Sequence, residues 1–482
     1  MKKRIMLTIL AALLVLSGVS CGTAGDDGIA AESKNEVSVT EDGASAADTA
    51  ESESEKSFAD FPKQDFGGKN LRLGDTEQYN ICDFSFREEL NGDVLNDAIF
   101  NSLRAVEEKL NVVIEQVLFS DSYQLSNAVV AMDDACDIMT GQDLTMAKLA
   151  LEGYTVDISS MELLDFSAPW WPQHSVSSCL LNGKMLLFSN YMSYFGVSRA
   201  RVWYINKQIA TINGLTIPYD DIFSGTWTLD KLNGLISSVH VDSNGNGKID
   251  DEDTVGYVNN NNFHCLQPSL GIHTYAVNSE GKLEFVFDLE RASAAIEKMY
   301  AMLYENSTVL HADTPTAQAK FQNGSSLFYY DSLGVAETFL RESEVEYGVL
   351  CNPKLDETQE DYIAGYTDYI HIVPKTITDM NLVGWGIEAL TASGYYTIIP
   401  AFVDVSLTNK YVYDEDSAKV IGLIGEKMHL ELAYIFSAKM ANTFLNLLNS
   451  SNPSKNIASY YAANNKIDIA FAEELNALYG AE

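Results

Sequence analysis

The densest run of metal-ligating chemistry in the chain is Asp242-Ser243-Asn244-Gly245-Asn246-Gly247-Lys248-Ile249-Asp250-Asp251-Glu252-Asp253. Calcium is a hard cation held by oxygen ligands, and a twelve-residue EF-hand loop supplies them at fixed positions. Asp242, Asn244 and Asn246 place side-chain oxygens at positions 1, 3 and 5. Gly247 at position 6 allows the sharp turn, and Lys248 at 7 offers its backbone carbonyl. Asp250 stands at 9, where a ligand binds directly or through water, and Asp253 stands at 12. Glu is usual at 12; the shorter Asp is expected to weaken affinity. The spacing predicts a structural Ca²⁺ site, the alternative being a polar Asn/Gly turn without metal. Thr228 caps an expected helix over 229–238 before the loop, and the strand-like Thr254-Val255-Gly256-Tyr257-Val258 follows it. A single unpaired loop of this kind staples local structure rather than opening a groove.

Other chemistry is sparse. There is no P-loop, no GxSxG, no HExxH, and no GxGxxG after a strand. The seven histidines, His264 and His273 among them, show no metal-triad spacing. Cys82, Cys136, Cys179, Cys265 and Cys351 are scattered without a CxxC and read as buried small side chains, with no disulfide claimed. The net charge of −37 disfavours nucleic acid and a polybasic membrane surface.

The N-terminus begins with Lys2, Lys3 and Arg4, runs through an apolar stretch to Val19, and reaches Cys21. This reads as a secretory leader over 1–20, and it resembles a bacterial lipoprotein signal in which Cys21 becomes the lipidated N-terminus. Gly18 departs from that pattern, which usually has Leu there. Residues 22–57 are small, polar and acidic and cannot bury enough surface to order, so 21–62 is expected to be a disordered tether.

These residues need a scaffold. The pattern after residue 63 alternates strands and helices: a strand from Lys69 to Gly74, an amphipathic helix from Asp93 to Leu110, a strand at Asn111–Glu115 and another at Asp137–Thr140. Strands are further expected at Lys184–Phe188, Val202–Ile205, Ser326–Tyr330, Tyr347–Leu350 and Tyr369–Val373. That grammar implies an α/β fold with parallel strands, and the length exceeds one core, so two lobes are expected.

Several segments, in order, resemble the clostridial-type extracellular solute-binding proteins of carbohydrate ABC importers. They are Asn91–Ile99 with Val106–Val112, Asp165-Phe166-Ser167-Ala168-Pro169-Trp170-Trp171, Tyr204-Ile205-Asn206-Lys207, Gly225–Asp230 with the calcium loop, Phe321–Gly324 with Tyr347-Gly348, and Lys410-Tyr411 with Asp414–Ser417. One segment departs from the pattern: Met428-His429-Leu430-Glu431-Leu432 stands where the family has an aromatic–Asp pair. The resemblance implies a periplasmic-binding-protein-like fold of type II, similar to maltose-binding protein. Lobe 1 would comprise 63–188 and 360–400, and lobe 2 would comprise 189–359 and 401–482. Hinge crossings would lie near Phe188–Tyr191, Asn352–Tyr362 and Pro400. It further implies an extracytoplasmic, lipid-anchored monomer that captures a small polar solute, most simply a mono- or oligosaccharide, and hands it to a permease.

Ligands of open α/β sheets lie beyond the carboxyl ends of strands. That criterion, with the family's cleft, selects Gln142, Asn190, Tyr191, Tyr330, Asp331, Asp368, Tyr369 and Trp385 as candidate ligand-binding residues, ordinary packing being the alternative for each. Trp171 is a weaker stacking candidate, and Trp203 and Trp227 are assigned to the core. Two rival readings stay open: a secreted glycosidase, for which a carboxylate pair can always be nominated among 68 acids, and a calcium-binding adhesion protein.

Overall fold

The computed structural model describes residues 57–263, 265–341, 343–367, 369–407, 414–449 and 452–480. The expected leader, Cys21, the tether up to residue 56, His264, Asp368, Lys410 and Tyr411 lie outside them. The chain divides into two units, Met1–Asp60 and Phe61–Glu482. Of the first, the described part is one 3₁₀ turn at Phe58–Asp60. All that follows concerns the second.

Its described strands, in chain order, are β1 (Lys69–Thr76), β2 (Val112–Phe119), β3 (Ile138–Gln142), β4 (Arg201–Asn206), β5 (His240–Val241), β6 (Thr254–Asn259) and β7 (Tyr275–Val277). They continue with β8 (Leu283–Phe285), β9 (Val309–His311), β10 (Ser326–Ser332), β11 (Tyr347–Leu350), β12 (Ala364–Tyr366), β13 (Tyr369–Ile372) and β14 (Met428–Leu430). Two main sheets result, ordered β13-β3-β1-β2 and β11-β4-β10-β6-β5, with β9 also paired to β6. Each sheet anchors one lobe of a two-lobed α/β fold.

The first lobe shows why the sequence folds this way. Asp93 caps helix Val94–Leu110 by accepting the Leu95 and Asn96 N–H groups, both at 3.1 Å. Ile99, Leu103, Val106 and Leu110 recur at helical spacing and are buried, while Asn111 ends the helix in the left-handed conformation. The helix then feeds β2, which runs parallel to β1 along all eight residues. The expected helix and first strand agree with the structure to within two residues, and β2 extends four residues beyond the expected Glu115.

Helix Met380–Tyr396 covers this sheet and corrects one expectation: Gly384-Trp385 lies inside a helix, not at a strand end. Asp379 caps it, and nearly every residue from Leu382 to Gly394 is buried. Its glycines allow close approach. A Cβ on Gly386 would lie 2.7 Å from Leu71, and one on Gly394 would lie 1.8 Å from the Tyr191 carbonyl oxygen. The same helix carries Glu388, whose two carboxylate oxygens accept the indole N–H groups of Trp170 and Trp171 at 2.7 and 2.9 Å. The Pro-Trp-Trp motif is therefore a lobe-packing device, and Trp171 is fully buried.

A second expectation also fails. Lys184–Phe188 forms isolated bridges, Leu181 to Lys184 and Phe188 to His371, rather than a strand. The Asp157 carboxylate takes the Met185 N–H at 2.9 Å, so a side chain replaces a ladder partner there. In the second lobe every residue of β4 and β10 is buried, as suits central strands covered on both faces. β12 pairs in parallel with β14 and thereby ties residues 364–366 to 428–430. That ladder crosses the division between the expected segments 360–400 and 401–482. Cys136, Cys179, Cys265 and Cys351 are buried.

Trp171→Ala removes a fully buried indole and leaves half of the Glu388 carboxylate unpaired. Denaturant unfolding should show a loss of about 3–5 kcal/mol.

Candidate functional site

The antiparallel register of β4 with β10 sets Trp203 opposite Tyr330 and Arg201 opposite Ser332. Ring centroids of Trp203 lie 4.7 Å from Tyr330 and 5.1 Å from Tyr257 on β6. This aromatic wall is fully buried, yet its polar atoms lack protein partners: Arg201 Nε, Trp203 Nε1, the Tyr257 hydroxyl and the Tyr330 hydroxyl. Native interiors pair such groups, because each one left unmade costs about 1–3 kcal/mol. Of sixteen such atoms among the described residues, four lie together on this wall. The sequence places Trp203 in the core; its ring is core, but its N–H has no protein partner.

Beside this wall, Arg201 Nη1 pairs with Asp331 Oδ1 at 2.9 Å, and Asp331 also accepts from the Tyr329 hydroxyl. Where the chain passes from the first sheet to the second, Phe195 packs on Tyr369 with centroids 4.2 Å apart. The Arg199 guanidinium lies 4.9 Å over the Phe195 ring. Arg199 has no ion pair among the described residues, and its Nε is buried without a partner. Burial, then the neighbouring Arg201 charge, pushes its pKa down. A cation so placed lacks an acceptor.

Gln142 and Tyr369 face each other as register partners of β3 and β13. Tyr369 is thus the first residue of an antiparallel strand that sits beside the carboxyl end of β3. Asp75 in β1 is buried and accepts from Ser85 and Gln116, each at 3.1 Å. Burial pushes its carboxyl up to about 6, against those hydrogen bonds. Burial likewise raises Asp143, next to Gln142, to about 6. Between the two lobes, Arg341 reaches Asp93 at 3.4 Å; within the second, the Tyr194 hydroxyl donates to Glu337 at 3.1 Å.

The structure therefore brings Gln142, Tyr330, Asp331 and Tyr369 into one neighbourhood with Arg199, Arg201, Trp203, Tyr257 and Phe195. The remaining candidates lie apart. The Asn190 amide donates to Thr391 at 2.6 Å, and the Tyr191 ring lies 5.7 Å from Tyr395, both against helix Met380–Tyr396. Trp385 meets Phe61 edge-on. Asp368 lies outside the described residues. The missed residues Arg199 and Arg201 carried one legible signal, two arginines straddling the start of a buried strand.

The expected calcium loop is held by its own side chains. Asp242 accepts the N–H groups of Gly245, Asn246 and Gly247 at 2.7–3.1 Å. Asn244 and Asn246 each accept one backbone N–H and donate to Asp250. Asp253, fully buried, accepts from Ser243 and Asp250. Lys248 shares the loop, and Lys320 donates to the Asp251 and Asp253 carbonyls. Gly245 and Gly247 take φ of 71° and 72°, which favours glycine. The oxygen set fits a hard cation: four aspartates share the loop, and among the described residues its carboxylates ion-pair only with His240, 3.6 Å from Asp253.

A second titratable group arises from residues far apart in sequence. His273 Nδ1 and His429 Nε2 each lie 3.2 Å from Glu431 Oε2. Burial pushes the Glu431 carboxyl up, and hydrogen bonds and charge from both histidines outweigh it, holding it down at about 2.

No family model matches the chain, and no curated protein matches it. Solved structures do. An ABC substrate-binding protein of Listeria monocytogenes, in complex with cycloalternan, aligns with a TM-score of 0.52 and 14% identity over 83% of this chain and 99% of that one. The GacH receptor of Streptomyces glaucescens, solved unliganded and with acarbose and a homolog, aligns at 0.53 and 13% over 84% and 99%. UspC of M. tuberculosis aligns at 0.52 and 13% over 82% and 99%. At such identities the likeness establishes the fold: the two-lobed architecture of maltose-binding-protein-like solute-binding proteins. No helix among the described residues is long and apolar enough to cross a membrane.

Asp75 gives a pH test. Its folded pKa lies above the ordinary 3.8, so ionising it destabilises the fold as pH rises through about 4 to 6. Asp75→Asn should remove that slope. The variant should gain up to about 3 kcal/mol over the wild type at pH 7.5 and little below pH 4, measured by urea unfolding across pH.

Proposed function

We propose that this chain is an extracytoplasmic solute-binding protein that captures a saccharide between its lobes for an ABC importer. The observation that carries the reading is the wall of Arg201, Trp203, Tyr257 and Tyr330, where stacked rings carry four polar atoms without protein partners. Sugars call for this combination: ring faces for their C–H surfaces and fixed donors for their hydroxyls. Arg199 and Asp331 add one donor and one acceptor at the junction of the two sheets, and Gln142 and Tyr369 extend the site on the first lobe. The cycloalternan and acarbose complexes of similarly folded proteins support the solute class.

On this reading the lobes close on the solute, and the closed form is what the permease recognises. The chain acts as a monomer without catalysing a reaction, secreted through its leader and tethered to the cell membrane by lipidated Cys21. Domain boundaries follow the hinge crossings near Phe188–Tyr191, Asn352–Tyr362 and Pro400. The loop from Asp242 to Asp253 holds a structural Ca²⁺ through Asp242, Asn244, Asn246, the Lys248 carbonyl, Asp250 and Asp253; the ion neutralises crowded carboxylates and pins the chain between β5 and β6.

A thermal-shift screen of the mature protein against mono- and oligosaccharides should find one stabilising class. By calorimetry, Arg199→Ala should weaken that sugar about 10–100-fold without lowering the melting temperature of the free protein. Release of shortened sugar products would instead identify an enzyme.

Calcium at one hundred times its Kd should stabilise the fold by about 2.7 kcal/mol. Asp242→Ala or a chelator should abolish the gain; an unchanged melting temperature at low residual calcium would exclude the site.

A further inference from the structure

The segment that departs from the family pattern, Met428-His429-Leu430-Glu431-Leu432, forms β14 and the turn into helix Leu432–Ile435. β14 pairs with β12, setting His429 opposite Gly365. That glycine is required by packing: a Cβ there would fall 2.3 Å from the Cys265 carbonyl oxygen. The segment beginning at Cys265 can therefore lie close over the β12–β14 ladder, and it ends in His273. Three residues with no common sequence spacing meet as a result.

Among the described residues, His273, His429 and Glu431 are the one group of three His, Cys, Asp or Glu side chains whose ligand atoms all lie within 4.8 Å of one another. Both imidazole nitrogens converge on the same carboxylate oxygen, each at 3.2 Å. Bonds of about 2.0–2.1 Å in tetrahedral geometry give ligand-to-ligand separations of about 3.3–3.4 Å, so two edges of such a site already have the right length. The Glu431 side chain is 4% exposed, whereas those of His273 and His429 are 30% and 33% exposed. A buried carboxylate beneath two part-exposed imidazoles leaves the outer coordination position open to water.

We propose that His273, His429 and Glu431 form a surface-accessible site for a borderline divalent transition metal, with Zn²⁺ the best match, separate from the calcium loop. Two imidazoles and one carboxylate suit Zn²⁺ and disfavour Ca²⁺, which takes oxygen ligands. Neither outer nitrogen, His273 Nε2 or His429 Nδ1, has a hydrogen-bond partner among the described residues. Such partners typically strengthen binding 10–100-fold, so the affinity expected is micromolar rather than that of a closed structural site. The site clamps β14 to the loop before β7, two segments 156 residues apart by their histidine numbers.

The test uses Co²⁺ as a spectroscopic stand-in on the full mature protein with its calcium loop saturated. One equivalent of Co²⁺ should give the intense visible d–d bands of a four-coordinate nitrogen/oxygen site, and Zn²⁺ should displace it. His273→Ala and His429→Ala, both at part-exposed positions, should each weaken binding at least about tenfold while retaining the wild-type circular dichroism. Asp242→Ala should leave the bands intact. The proposal is overturned if no visible bands appear, if both histidine variants keep them, or if Asp242→Ala abolishes them; the group would then be a hydrogen-bonded His–Glu–His cluster only. Loss of saccharide binding would leave this result unaffected.

Discussion

The structure depends on one return of the chain. After building most of the second sheet, it comes back and adds β13 antiparallel to β3, from Tyr369 opposite Gln142 to Ile372 opposite Met139. A buried hydrogen bond between Thr140 and His371, at 2.9 Å, fixes that ladder from the side-chain side. Burial pushes the His371 imidazole down to about 3, so it stays neutral at any ordinary pH and the bond does not switch. Without this strand the first sheet would end at β3, Tyr369 would have no reason to meet Phe195, and helix Met380–Tyr396 would not follow in position to cover β1. The ladder makes two sheets from interleaved segments, and a chain that interleaves two lobes places the candidate site at their seam.

Buried polarity is handled in two ways. Many inward-pointing polar groups are answered within the chain: Glu388 by two indoles, Asp157 by Met185 and Ser159, Asn190 by Thr391, while Thr76, Thr155 and His174 in the first lobe each keep one buried polar atom unpaired. On the wall of β4, β6 and β10, by contrast, several donors and hydroxyls stay unanswered together, beside Arg199. Packing alone would favour apolar residues at those positions, because an unpaired buried polar group costs more than it returns. That clustering on one wall is the physical argument for a ligand, and it places the recognition chemistry mainly on the second lobe.

Much of this was legible in the residues. Asp93 and the spacing of Ile99, Leu103, Val106 and Leu110 dictate a capped amphipathic helix, and the β1–helix–β2 unit follows. The helix before the Asp242–Asp253 loop and the strand after it were equally local. What failed was long-range. Gly384-Trp385 looks like a strand end because two glycines and a tryptophan suit one; tertiary packing on Leu71 and Tyr191 made the glycines helical contacts instead. Lys184–Phe188 reads as a strand by composition, yet a side chain of Asp157 occupies the pairing position. Arg199 is invisible as a site residue until the fold stacks it on Phe195. His273 and Glu431 share no spacing at all and meet only through the β12–β14 ladder.

The central claim is that a saccharide binds at the seam and draws the lobes together. Small-angle X-ray scattering of the mature protein, free and saturated with a sugar that calorimetry shows to bind, tests it most directly. The account predicts a smaller radius of gyration in the complex and the same sugar recovered intact. Full occupancy with an unchanged scattering profile would contradict it.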